Sequence, residues 1–207
     1  MLISDDKRFV FVHVPKTGGT SITAALAPWS LPRNAARWAS WVRWIGLPRD
    51  HRRFRFQKHG TLASVERIME PTLFRSYFKF GFVRNPWDRL VSDYEAVRND
   101  PATRRHARAR ALPDFRAYLE HEARRSQSTQ VRLLADRSGE VGVDFVGRFE
   151  RLDEDLARVL ARLGIEARLP HLNRHEHRDY RTYYDAAGRD FVGRHWAADI
   201  EAFGYEF

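Results

Sequence analysis

Residues 9–21, FVFVHVPKTGGTS, constrain the fold of this 207-residue chain more than any other stretch. Phe9, Val10, Phe11, Val12, His13 and Val14 form a run rich in β-branched and aromatic residues, which predicts a buried strand. Pro15 has no N–H to give to a ladder and ends it. Gly18 and Gly19 permit a sharp turn and let consecutive main-chain N–H groups come close to a ligand. Thr20 and Ser21 add hydroxyls and a helix cap, and Ile22 to Ala27 continue as helix. A strand, a glycine turn bearing a lysine, and a helix start together make an anion site, and phosphate suits it. The plainer alternative is a strand-to-helix turn with a surface lysine. The nucleotide-triphosphatase signature G-x-x-x-x-G-K-[ST] is absent, because Lys16 precedes the glycines.

A second stretch, YFKFGFVRNPWDRLVSDY at residues 77–94, repeats the strand-to-helix grammar. Tyr77, Phe78, Phe80, Phe82 and Val83 read as a buried strand ending at Arg84. Asn85 is an N-cap and Pro86 stands in the first helical turn, where proline is best tolerated. Trp87, Leu90, Val91 and Tyr94 follow at helical spacing and face a core. Arg84 and Ser92 bring a planar cation and a hydroxyl toward one place, and guanidinium binds a terminal phosphate bidentately. The alternative is an Arg84–Asp88 pair with Ser92 as an ordinary helix residue.

In the order Pro15-Lys16-Thr17-Gly18-Gly19-Thr20-Ser21, the first stretch resembles the 5′-phosphosulfate loop of sulfotransferases that use 3′-phosphoadenosine 5′-phosphosulfate (PAPS). The second resembles the part of those enzymes in which an Arg and a Ser hold the donor's 3′-phosphate. VDFVGRFERLDED at 143–155, and the tail from Pro170-His171-Leu172-Asn173 to Phe203-Gly204-Tyr205-Glu206-Phe207, are similar to the carbohydrate branch, which holds Golgi glycan sulfotransferases and bacterial relatives. The resemblance covers most of the chain and is weak over residues 28–56. It implies donor binding by Lys16, Thr17, Gly18, Gly19, Thr20, Ser21, Arg84 and Ser92, with adenosine 3′,5′-bisphosphate (PAP) as product and no metal. It also implies catalysis by Lys16 and by His59, whose Lys58-His59-Gly60-Thr61 setting matches a Lys-His-x-Thr pattern around a general base. Histidine suits that task near neutral pH. His13, in the strand feeding the loop, reads as a core or second-shell group.

Strands each followed by a helix, with the anion loop after the first, indicate an α/β fold. Its expected form is three-layer α/β/α around a mainly parallel sheet, P-loop-NTPase-like, in one domain spanning residues 1–207. A net charge of +9 calls for an anionic partner. A doubly phosphorylated donor, an anionic glycan or a nucleic acid would answer it, and the resemblance selects donor and glycan. With no cysteine, disulfides and thiolate metal sites are excluded. The start, MLISDDKRF, lacks a signal h-region and no run reaches about 18 apolar residues. A cytoplasmic, bacterial protein is expected.

Between Pro28 and Phe56, Trp38, Trp41, Val42 and Ile45 share one helical face among arginines. The readings are an acceptor lip, peripheral membrane contact through residues 33–45, or inward-packed tryptophans. The arginine-rich run 98–110 reads as a solvated surface or a guide for an acidic acceptor. His171, His175 and His177 lie in a loop-like setting that argues against zinc, and Arg174, Arg178 and Arg181 are candidate phosphate contacts. Two rivals make different demands. A nucleotide kinase needs an acidic magnesium ligand where Arg84 stands, and a nucleic-acid binder needs affinity that falls steeply with salt.

Overall fold

The apolar run at the head of the loop forms strand β2 (Phe9–Val12), buried throughout. In the computed structural model, which describes residues 1–31, 50–54, 56–125, 129–168 and 178–207, it lies inside a four-stranded sheet of order β1-β2-β3-β4. β3 (Phe78–Val83) and β4 (Phe145–Arg148) run parallel in succession from β2. β1 (Leu2–Ser4) joins β2 antiparallel, Leu2 opposite Phe11, and at three residues it is too short to show a period in the sequence. β2 ends before Pro15 as expected, but His13 and Val14 lie past the end of the strand, between it and the turn that begins at Pro15. The sequence from Val143 to Phe149 reads as a third buried strand, and β4 is shorter than that run. It is the sheet's edge, and only its Gly147 is buried.

Ten α-helices are seen among the described residues. Their bounds are Gly19–Leu26 (α1), Leu62–Glu66 (α2), Pro71–Ser76 (α3), Pro86–Asn99 (α4) and His106–Ala111 (α5), then Phe115–Ala123 (α6), Gln130–Leu134 (α7), Leu152–Leu163 (α8), Ala186–His195 (α9) and Ala197–Phe203 (α10). Internal contacts divide the chain into two compact units, Met1–Val83 with Arg132–Leu172, and Arg84–Val131 with Asn173–Phe207.

The first unit holds the sheet. Alternation along a strand sends Phe9, Phe11, Phe80 and Phe82 to one face, where they pack with Ile22 and Leu26 of α1 and Leu156, Val159 and Leu160 of α8. The Phe11 and Phe80 rings stack at 5.3 Å, and each ring so buried contributes roughly 1.5–3 kcal/mol. The other face of β3 carries Gly81. A Cβ there would stand 2.4 Å from Leu134 Cδ2, so α7 can approach the sheet only over a glycine. Leu152, Leu156, Val159, Leu160 and Leu163 share one helical face in the sequence, with Gly164 as the stop; α8 follows that stripe and ends at Gly164, which is left-handed at φ +59°.

The second unit is helical. Asn85 Oδ1 accepts from Trp87 N–H at 3.0 Å with Pro86 in the first turn, the start that the sequence predicts for α4. Trp87 and Leu90 pack with Leu119, Val192 and Trp196. The sequence from Phe191 to Phe203 reads as one last amphipathic helix, but the structure has two. Trp196 leaves helical backbone at ψ 25° and buries its indole completely, separating α9 from α10.

Arg105 ties α4, α5 and α6 of this unit together. Its Nη2 donates to Asp93 Oδ2 at 2.9 Å, Tyr118 Oη at 2.9 Å and Glu122 Oε1 at 2.7 Å, while Tyr118 donates to Asp93 at 2.7 Å. Burial pushes the Asp93 carboxyl up, but the Arg105 charge beside it prevails and holds it below the ordinary carboxylate value. The sign follows: the stabilisation is present above the unfolded-state value of about 3.9 and is lost as pH falls through the lower folded value. Urea unfolding of Asp93→Asn should therefore lack part of the wild-type loss of stability on the acid side. Arg105→Ala, which takes the paired cation from buried Asp93 and leaves buried Glu122 with Arg125 alone, should cost about 3 kcal/mol at neutral pH.

Candidate active site

The loop between β2 and α1 has an unusual backbone. Lys16 is left-handed at φ +67°, one of two non-glycine residues with positive φ among those described, and Gly18 follows at φ +75°. A left-handed lysine costs roughly 1–2 kcal/mol, the kind of local strain that collects at functional sites. Left-handed residues on both sides of Thr17 turn the chain sharply, and successive N–H groups in such turns can form anion-binding concavities. Gly18 is the N-cap of α1 and offers no side-chain cap. The first intrahelical bond is Ile22 N–H to Gly18 O at 3.2 Å, so the N–H groups of Gly19, Thr20 and Ser21 lie at the positive end of the helix ahead of it.

Each loop residue has a distinct setting. Thr17 is fully buried and its Oγ1 donates to Val14 O at 3.0 Å, so its proton braces the loop. Thr20 is exposed, Ser21 is buried, and Lys16 is half-buried. Two close approaches require the glycines. A Cβ on Gly18 would stand 2.6 Å from Leu152 Cδ2 of α8, and one on Gly19 would stand 2.2 Å from His13 Cδ2 and Nε2.

His13 also meets His59. The two rings are 4.7 Å apart at 70°, and His59 Nδ1 lies 3.0 Å from the main-chain oxygen of His13. A carbonyl oxygen only accepts, so Nδ1 carries the hydrogen and the basic lone pair of the neutral ring falls on Nε2. His13 thus fills the space beside Gly19 with its ring and fixes the His59 tautomer with its carbonyl. It is buried, in keeping with the core setting read from the sequence.

Arg84 and Ser92 belong to the second unit. Arg84 is 6% exposed and its Nε donates to Asp88 Oδ2 at 2.7 Å. Asp88 and buried Ser92 stand one turn apart on α4, which begins two residues after Arg84. The ion pair that the sequence offers as an alternative is therefore present. Behind Arg84 stands a group that the sequence reading missed. Gln130 is fully buried and binds the Arg84 main chain with its amide, and buried Asp199 in turn binds Gln130.

Of the outlying candidates, Arg181 stacks on the Tyr180 ring at 4.6 Å and lies 3.6 Å from Asp179, and Arg178 is exposed. Arg174, the histidines at 171, 175 and 177, and residues 33–45 with their tryptophans lie outside the described residues. No described helix is long and apolar enough to cross a membrane.

The family profile described as "Sulfotransferase family" matches residues 1–206. Among solved structures, the fold is similar to the crystal structure of mouse sulfotransferase SULT7A1 complexed with PAP. The TM-score is 0.57 at 12% sequence identity, covering 95% of this chain and 86% of that chain. At that identity the likeness is one of fold. No curated protein matches the sequence significantly.

Proposed function

Since the chain belongs to the sulfotransferase family, we propose that it moves a sulfuryl group from PAPS to a hydroxyl of a carbohydrate or other hydroxylated acceptor, acting in the cytoplasm. The observation that carries this reading is the loop itself. A strained Lys16 and a left-handed Gly18 lead into a helix start with no side-chain cap, an arrangement suited to a phosphate bearing a leaving sulfuryl group. The PAP held by the similar mouse enzyme supports the same donor here.

The assigned roles follow from chemistry. The N–H groups of Gly18 to Ser21, with the Thr20 and Ser21 hydroxyls, hold the 5′-phosphate, and Thr17 keeps the loop in shape. Lys16 neutralises charge that builds on the bridging oxygen as PAP leaves. Sulfuryl transfer resembles phosphoryl transfer, in which positioning and charge stabilisation provide most of the acceleration. His59 Nε2 takes the acceptor's proton as the hydroxyl oxygen bonds to sulfur and the bridging S–O bond breaks. Arg84 and Ser92 take the 3′-phosphate, the group that separates this donor from ATP. The acceptor reading as a glycan rests on the likeness to the carbohydrate branch.

The test is transfer from sulfur-labelled PAPS to a panel of neutral and acidic oligosaccharides and simple hydroxylated metabolites, with a chelator present. Labelled acceptor and one equivalent of PAP per transfer are expected. Transfer of phosphate from ATP to the same panel, with none from PAPS, would overturn the reading.

A further inference from the structure

Resting on the donor reading above, we propose that Gln130 and Asp199 are positioning residues that set Arg84 for recognition of the donor's 3′-phosphate. The contacts are specific. Gln130 Oε1 accepts from the Arg84 main-chain N–H at 2.9 Å, and Gln130 Nε2 donates to the Arg84 carbonyl at 2.8 Å. One side-chain amide thus satisfies both main-chain groups of one residue, the service a neighbouring strand would give. It does so one residue beyond Val83, the last residue of β3 and the last to pair with β4. The amide orientation is fixed by these partners, because an N–H must meet the oxygen and a carbonyl must meet the nitrogen.

Asp199 holds Gln130 in turn. Both of its oxygens accept the Gln130 main-chain N–H at 2.8 Å, and Oδ1 also accepts from Val131 at 2.9 Å. Gln130 and Asp199 are both fully buried. A buried amide and a buried carboxylate are costly ways to fill space, and apolar residues of like volume would stabilise the same helices as well. Burial pushes the Asp199 carboxyl above the ordinary value even though Arg89 and the two N–H donors pull it down. What the polar pair supplies, and an apolar pair could not, is a fixed main chain at Arg84. With Asp88 holding Nε at 2.7 Å, Arg84 is anchored at its main chain and at one edge of its guanidinium. Bidentate recognition of a phosphate tolerates little displacement, so this support should be visible in ligand preference.

The test is calorimetric titration of PAP and of 5′-AMP, with folding checked by circular dichroism at the same temperature. Gln130→Met keeps the shape and removes both hydrogen bonds. Asp199→Asn is the second variant, should the first not fold. Val192→Ala, a fully buried change in the core cluster of Trp87, Leu90, Leu119 and Trp196, is the control for lost stability alone. The preference for PAP over 5′-AMP is expected to fall between about tenfold and a hundredfold in Gln130→Met and in the same direction in Asp199→Asn, with 5′-AMP affinity unchanged. Val192→Ala should keep the wild-type preference. A folded Gln130→Met or Asp199→Asn protein with the wild-type preference would overturn the proposal and leave the donor reading standing. A wild-type protein that binds both nucleotides equally would overturn the donor reading and the proposal with it.

Discussion

Alanine in place of His59 is expected to lower kcat for sulfuryl transfer by about 10²–10⁴-fold while PAP affinity stays near wild type. The reason lies in the tautomer. His59 Nδ1 is committed as donor to the His13 carbonyl at 3.0 Å, so a neutral ring presents Nε2 as the base. The acceptor hydroxyl, a weak nucleophile while protonated, loses its only proton acceptor among the residues assigned to the reaction. Loss should also abolish the acidic limb of the pH–rate profile, because protonated imidazole cannot accept. Single-turnover rates at saturating donor isolate this step from product release. A change smaller than tenfold, or an acidic limb that persists in the variant, would move the base elsewhere.

Gly19→Ala is expected to weaken PAP binding by about 10²-fold, the size of effect that a displacement near 1 Å produces at a positioned site. An added Cβ would stand 2.2 Å from the His13 ring, which is itself 3% exposed and pressed against His59 at 4.7 Å. Neither ring can retreat without cost in a packed interior, so the loop must move instead. The double variant discriminates further. His13→Ala removes the ring that the new methyl group meets, so Gly19→Ala with His13→Ala should bind PAP more tightly than Gly19→Ala alone. Titration of the three variants measures this coupling directly. Additive losses would mean that Gly19 matters for its own conformational freedom and not for the space beside His13.

The parts of this molecule that were legible in the sequence are the local ones. β2, its loop and α1 follow from an apolar run, a proline and two glycines within thirteen residues, and β3 with α4 follows from the same grammar closed by Asn85 and Pro86. The α8 stripe and its glycine stop are likewise contained in one window. What escaped depends on distance. β1 is three residues long and gains its meaning only from pairing with β2. The break at Trp196 is set by where its indole is buried, not by a proline or glycine. Gln130 and Asp199 are polar residues in helices, and their partners lie 46 and 69 residues away. No period or spacing marks such a pair, although a carboxylate inside an otherwise apolar helical turn near Trp196 and Ile200 is a signal that could have been pursued. The Arg84–Asp88 bond shows the converse. An i, i+4 pair was legible, and its presence is compatible with a phosphate role because the bond uses Nε and orients the guanidinium plane.

A chain that uses PAPS should prefer a nucleotide carrying phosphates at both the 3′ and 5′ positions. The decisive measurement is calorimetric binding of PAP, 5′-AMP and ATP to the wild type, Lys16→Ala and Arg84→Ala. The wild type is expected to bind PAP far more tightly than 5′-AMP or ATP. Arg84→Ala should erase the preference for PAP over 5′-AMP, and Lys16→Ala should weaken both nucleotides together. ATP bound as tightly as PAP, or a preference that survives Arg84→Ala, would contradict that expectation.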